Sequence, residues 1–453
     1  MESSASGGPG TEPGAAAHGS ARASGGAVPT APGGTVPAAP GGGGSATPAH
    51  GAPPLLRQIN SAHVLAALRG AGPLSLSDLA ARTGLSRPTV GQVVDQLHAG
   101  GLVADVEPGH DGAVRSGRPA RLVRFRSEAA YVVGIDIGRN QALVTVADLA
   151  GTIVAQHRGV TSGASSSADL LAALRTAATS ALGRAGIRRA DVASVAAGTP
   201  GLVDWPRGAV VLAPQLPGWK IELARELRRS FRCPVQVEND ANLAVLAERR
   251  HGLARDAHTV VFILWGERVG AGVLIGDQLH RGAANAAGEI GFLALDEGTT
   301  AQPDEAGRGP FERLVGAEAI AEVARAAARR RGGALPSFID AAPGAVTAEA
   351  VFAAAARGDP AAVEALRTIA ARFSRGLAPV LLVLDPDLVV IGASVSRAGA
   401  ALLEAIEASV APLTLVRPRL ALSRLGDEAV TLGAVELALA EAERRLLPGP
   451  ALA

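Results

Sequence analysis

The chain has 453 residues, 48% of them hydrophobic, and a formal net charge of +1. That is enough apolar surface for two or three domains with their own cores, while a charge so near zero leaves any nucleic-acid face to local clustering of basic residues. The single cysteine, Cys233, excludes an internal disulfide and a multi-cysteine metal site and fits a reducing cytoplasm.

Residues 1–54 are dominated by Gly, Ala, Pro, Ser and Thr. Such a segment buries too little apolar surface to offset its ordering entropy and is expected to be a disordered tail, without the basic start and apolar core of a secretory signal. Helical periodicity begins near Leu55, with Ile59, Val64, Leu65 and Leu68 on one face, and stops at Gly70 and Gly72-Pro73. Leu76, Leu79 and Ala80 predict a short second helix, broken at Thr83-Gly84. Ser86 caps a third, in which Val90, Val93, Val94 and Leu97 recur at helical spacing. Two extended stretches, Leu102 to Val106 and Arg121 to Phe125, flank a Gly-rich loop.

This order over residues 55–127 predicts a winged helix-turn-helix. Arg87, Thr89, Gln92 and Gln96 fall on the open face of the third helix, near the end that meets base edges in such modules. Arginine and glutamine suit bidentate readout of guanine and adenine. Ser86 can donate to a phosphate. The loop and second wing strand carry Arg115, Arg118, Arg121, Arg124 and Arg126, opposed only by Asp111, and Gly117-Arg118-Pro119 can place an arginine in a narrow minor groove. The expected DNA-binding residues are therefore Ser86, Arg87, Thr89, Gln92 and Arg118, with an oligomerisation or docking module as the alternative.

From Tyr131 the pattern changes to alternating strands and helices. Strands are predicted over Tyr131 to Ile137 and Gln141 to Ala147, then a third after the Gly151 turn, and over Val192 to Ala197, Val235 to Val237, Val260 to Leu264, Gly272 to Ile275 and Leu388 to Ile391. Helices are predicted over Ala168 to Arg184, Ile221 to Phe231, Ala241 to Arg250, a long region from Ala317 to Leu377, and Leu432 to Leu446. So much α/β chain requires two lobes, with a cleft between them. The apolar run Val380 to Ile391 is cut by Asp385, Pro386 and Asp387, so no membrane span is expected. Residues 447–453 form a short tail.

Four stretches stand out within this region: Gly134-Ile135-Asp136-Ile137-Gly138; Gly198-Thr199-Pro200-Gly201-Leu202-Val203-Asp204 with Leu216-Pro217-Gly218-Trp219; Glu238-Asn239-Asp240-Ala241-Asn242; and His280-Arg281-Gly282 leading to Ala287-Gly288-Glu289-Ile290-Gly291. Planar, multi-acceptor groups at strand ends suit the many hydroxyls of a sugar, and Asn239, Asp240 and Glu289 supply them. Asp240 alone also reads as a helix cap.

In this order and spacing the stretches resemble the ROK family of sugar kinases, open reading frames and repressors, over roughly residues 131–446. The wing ending Ser116-Gly117-Arg118-Pro119-Ala120 resembles the DNA-binding arm of the family's repressors. The resemblance implies a two-lobed actin-like ATPase (ribonuclease H-like) fold behind the winged helix, with Glu312 as a further sugar contact and Asp240 matching the general base of the family's kinases.

The sequence departs from the kinase pattern at both phosphate loops. Arg139, Asn140 and Gln141 replace Gly, Thr and Lys, and Gly266-Glu267-Arg268-Val269-Gly270 puts a carboxylate where a polyphosphate would lie, which is repulsive unless Arg268 compensates. Phe292 replaces the histidine of the family's zinc site, and residues 296–309 hold no cysteine. The resemblance with these departures implies an α/β sugar-responsive DNA-binding regulator, a repressor released by sugar. No catalytic residue, cofactor or metal is expected. Operator DNA and a small sugar or sugar phosphate are the expected partners of a homodimer or homotetramer. The alternatives are an active sugar kinase with a fused DNA-binding arm and a DNA-binding protein whose larger part is only an oligomerisation scaffold.

Overall fold

A computed structural model describes residues 54–106, 121–214, 216, 218–331 and 346–447. The predicted tail before Pro54, the wing loop with Arg115 and Arg118, and residues 448–453 lie outside the described residues.

The N-terminal module comprises α1 (Pro54–Ala71), β1 (Leu74–Ser75), α2 (Leu76–Thr83), α3 (Arg87–Ala99), β2 (Val103–Val106) and β3 (Leu122–Phe125). Ser75 starts α2 with a capping box to Asp78, and Gly84 ends it in the left-handed region, which glycine enters without a Cβ penalty. The β-strands form an antiparallel three-stranded sheet in the order β1-β3-β2. Val64, Leu65, Leu68, Leu79, Val90, Val93, Val94, Leu97 and Val123 fill the core. Ile59, read as part of the buried face of α1, is 42% exposed.

The first lobe contains β4 (Tyr131–Ile137), β5 (Gln141–Asp148), β6 (Ile153–Val160), α4 (Ser167–Ala185), β7 (Val192–Thr199), the hairpin β8 (Leu202–Asp204) and β9 (Ala209–Leu212), α5 (Leu223–Phe231) and β10 (Val235–Asn239). Next come α6 (Asp240–His251), β11 (Thr259–Trp265), β12 (Val269–Ile275), β13 (Gln278–Leu279), α7 (Pro310–Val315) and α8 (Ala317–Arg331). The chain closes with α9 (Ala348–Ala356), α10 (Pro360–Leu384), β14 (Leu388–Gly392), α11 (Ala400–Val410), β15 (Leu420–Leu422) and α12 (Ala429–Leu446). The helical region expected from Ala317 to Leu377 is therefore divided. Asp359 caps α10 by accepting from Ala362 N, and Pro360 opens that helix, a standard start signal.

The two five-stranded sheets share one connectivity. Reading from the third strand of each, the orders are β6-β5-β4-β7-β10 and β13-β12-β11-β14-β15. In both, an antiparallel meander of three strands is extended by two parallel ones. Trp265, Phe311 and Phe373 centre the second lobe's core, with Trp265 and Phe373 stacked at 3.9 Å. Between the sheets lies a helix pair. α6 packs on β11 and β12, while α12 packs on β4 and β7.

Gly433 permits this pairing, because a Cβ there would lie 1.8 Å from the Leu243 carbonyl oxygen. The C-terminal end of α12 in turn meets the N-terminal module: Arg69 pairs with Glu443, and the Arg69 guanidinium sits 4.9 Å from the Phe125 ring centroid. Among the described residues no helix is long and apolar enough to cross a membrane.

Candidate functional site

Two faces carry chemistry. On the first, α3 begins at its cap Ser86, whose Oγ accepts from Thr89 N at 3.3 Å and lies 2.8 Å from Thr89 Oγ1. These two hydroxyls engage each other. Arg87, Gln92 and Gln96 are exposed and make no side-chain hydrogen bond among the described residues.

The wing arginines differ from the sequence reading. Arg121 donates to Asp105 and Asp95, and Arg124 donates to both oxygens of Glu128. Arg126 donates to Gly101 O and lies 3.6 Å from Glu128. Folding brings three carboxylates to them, Asp95 from α3, Asp105 from β2 and Glu128 from the turn after β3, whereas Asp111 lies outside the described residues. Arg118 lies outside the described residues.

The second face is a partly open cleft. Asn239, Asp240, Glu289 and Glu312 all line it, together with Arg268, Phe292, Gly201 and Pro214. Strand β10 runs straight into α6, which places Asn239 and Asp240 at a helix N-terminus. The cap is Asn239 and not Asp240: Asn239 Oδ1 accepts from Ala241 N and Asn242 N, and its Nδ2 donates to Gly201 O. Asp240 accepts from Ala241 N at 2.8 Å through Oδ1, and its second oxygen has no hydrogen-bonding partner among the described residues. Glu289, set by the Gly288 turn, makes no side-chain hydrogen bond among the described residues.

Glu312 differs from the others. Its Oε1 accepts from Val269 N at 2.9 Å and its Oε2 from Gly309 N at 2.8 Å, with Arg268 Nη1 at 3.4 Å. It caps α7 and orients Arg268, so little of its capacity is left for a ligand. Asp240 and Glu289 are the open acceptors of the four.

Burial sets the electrostatics. It pushes the Asp240 carboxyl up to about 8, helped by Asp136 and Glu289 nearby. Burial also lifts Asp136 to about 7, with Asp427 adding and Arg158 opposing, and lifts Glu289 to about 6, with Glu312 adding. These groups hold protons in the native chain at pH values where the unfolded chain has released them. The stability they contribute is complete below about pH 4 and is lost as pH rises through roughly 6 to 8. The thermal midpoint of the ligand-free chain is therefore expected to fall between pH 5 and pH 8, and Asp240→Asn to flatten that fall. Calorimetry across the range checks both, and an undiminished slope in the variant would contradict the assignment.

The two turns resembling phosphate loops face each other across the cleft. Arg139, after β4, donates to Glu267, after β11, at 3.2 Å. Glu267 is therefore compensated by Arg139, whereas Arg268 turns inward to Glu312 and to Ala306 O at 2.7 Å. The residues here do not fit a zinc ion: Phe292, which has no donor atom, lines the cleft, and no group of three His, Cys, Asp or Glu side chains that could hold a metal occurs among the described residues. The segment 296–309 is tied instead by Asp304, which accepts from Ala306 N, Arg308 N and Arg308 Nε. Sequence reasoning placed Arg268 in the turn but missed its role within the cleft, because its partners lie 38 and 44 residues away.

Comparison with known proteins agrees with this geometry. A profile described as MarR family matches residues 57–113. The chain is 25% identical to a putative xylose repressor of a Caldicellulosiruptor species over 393 residues, which is 85% of this chain and 97% of that protein. A ROK family transcriptional regulator, described as a homologue of the E. coli MLC protein, shares the fold with a TM-score of 0.71 at 23% identity, covering 86% of this chain and 98% of that one. A Streptomyces griseus ROK family glucokinase, solved with glucose and AMPPNP, is 27% identical with a TM-score of 0.60, covering 68% of this chain and 99% of that one. A profile described as ROK family matches residues 132–441; with two sheets of one connectivity around a carboxylate-lined cleft, the chain belongs to the ROK family.

Proposed function

We propose that this chain is a sugar-responsive DNA-binding repressor of carbohydrate genes, in which sugar held by Asp240 and Glu289 releases the winged helix from its operator. The observation that carries the reading is the pairing on one chain of a recognition helix with Arg87 and Gln92 free and a cleft with open carboxylate acceptors. D-xylose is the first candidate ligand, since similar proteins are named as xylose repressors, and D-glucose is the second. Two copies would present two recognition helices to a two-part operator, with Arg118 in the adjacent minor groove. The proposed route from cleft to DNA runs from Asp240 through α6 and α12 to the Arg69–Glu443 contact. A ligand acts through it only by binding the two lobe arrangements with different affinity.

Phosphoryl transfer is proposed to be lost. The Arg139–Glu267 pair joins the turns that ATP would have to part, and Glu267 repels phosphate oxygens. A second reading, an active sugar kinase with a DNA-binding arm, draws on Asp240, whose raised affinity for protons suits a general base. Thermal midpoints with D-xylose or D-glucose, each with and without ATP and magnesium, separate the two. The repressor reading expects a sugar-dependent rise that ATP does not change, at sugar concentrations well above the dissociation constant. A rise that requires ATP, with sugar-dependent ATP turnover abolished in Asp240→Asn, would replace it with the kinase.

A further inference from the structure

Arg281 stands outside the cleft lining and yet touches both halves of it. Its guanidinium reaches from the segment after β13 to the first lobe, where Nε donates to Glu238 Oε2 at 2.7 Å. The same guanidinium lies 4.2 Å from the Trp205 ring centroid, and Trp205 sits in the turn between β8 and β9. Glu238 is 2% exposed. Its other oxygen accepts from Asn239 N at 2.9 Å and from Asn242 Nδ2 at 3.0 Å. One carboxylate thus joins Arg281 to the strand end and first turn that carry Asn239 and Asp240.

The main chain of Arg281 serves the other half. Its carbonyl oxygen accepts from Ala287 N at 3.0 Å, and Ala287-Gly288-Glu289 follows directly. We infer that Arg281 is a positioning residue, fixing the first-lobe pair Asn239 and Asp240 against Glu289 of the second lobe so that one sugar can meet both. This rests on the effector-site reading proposed above.

The chemistry favours arginine specifically. A planar guanidinium can stack on an indole and direct an N–H at a carboxylate at once, whereas an ammonium is a point charge. Because Glu238 is buried, removing its partner leaves an uncompensated charge, while removing both charges does not. That difference separates positioning from mere stability.

The test compares Arg281→Lys, Arg281→Met and the double variant Glu238→Gln/Arg281→Met in the full chain. The readouts are thermal midpoint, D-xylose affinity by calorimetry, and amide hydrogen exchange. Arg281→Met should speed exchange at residues 238–242 and 287–290 by about tenfold or more, leave α3 unchanged, and weaken xylose binding by at least about tenfold, for loss of one charge-directed restraint. Arg281→Lys should fall between. The double variant should regain most of the thermal midpoint without regaining xylose affinity. Recovery of affinity together with stability would overturn the inference, as would unchanged exchange in both segments. Should the unaltered chain bind neither xylose nor glucose, the effector-site reading fails, and the exchange comparison still decides whether Arg281 holds the two segments.

Discussion

Glu289→Ala is expected to weaken sugar binding by about 10- to 150-fold while leaving operator affinity unchanged, the change in affinity corresponding to one hydrogen bond to a charged group, about 1.5–3 kcal/mol. Glu289 is the one proposed sugar contact whose carboxylate has no hydrogen-bonding partner in the described fold, so its loss removes ligand contacts and no scaffold. The same variant carries a second signature. Burial and Glu312 together push the Glu289 carboxyl up to about 6, so its ionised form opposes folding above that pH. Glu289→Ala should therefore melt higher than the unaltered chain at pH 8 without ligand. Calorimetry with D-xylose and melting curves at pH 8 check the two effects. Undiminished sugar binding would remove Glu289 from the site.

Gly288→Ala is expected to damage the fold itself. Gly288 has φ of +91°, and a Cβ there would lie 1.8 Å from the Ala271 carbonyl oxygen. The obstacle is backbone of β12, which cannot rotate away. Gly288 O also accepts from Ala271 N at 2.8 Å, so relieving the clash breaks the bond that seats Glu289 over the cleft. Left-handed strain of roughly 1–2 kcal/mol adds to overpacking of about 1–3 kcal/mol. Loss of around 3 kcal/mol in denaturant unfolding, with loss of sugar binding, is the expected outcome. An alanine variant with unaltered unfolding would contradict the close approach.

Much of this arrangement is legible in the sequence where local pattern decides. The capped third helix, the strand-to-helix junction at Asn239 and Asp240, and the Gly288 turn each carry their signal within a few residues. The hairpin β8–β9 is not legible, because its strands have three and four residues, too few for alternation to register. The same shortness hides β15 and α7. Long-range partners are the other limit. Nothing near Glu312 in sequence announces that Val269 N consumes one of its oxygens, and Glu238 and Arg281, 43 residues apart, meet only through the fold. The pairing of Arg121 is hidden for the same reason, since Asp95 and Asp105 reach it from other elements.

Sugar in the cleft and DNA on α3 are proposed to compete through one chain. The most direct test is the affinity of the full-length protein for an operator fragment, selected by the protein from random DNA, measured by fluorescence anisotropy at fixed salt with and without saturating D-xylose or D-glucose. A decrease in affinity of about tenfold or more, corresponding to a coupling of about 1.4 kcal/mol, with its midpoint following sugar binding, is the predicted result. Operator affinity unchanged while calorimetry shows the cleft filled with sugar would contradict it.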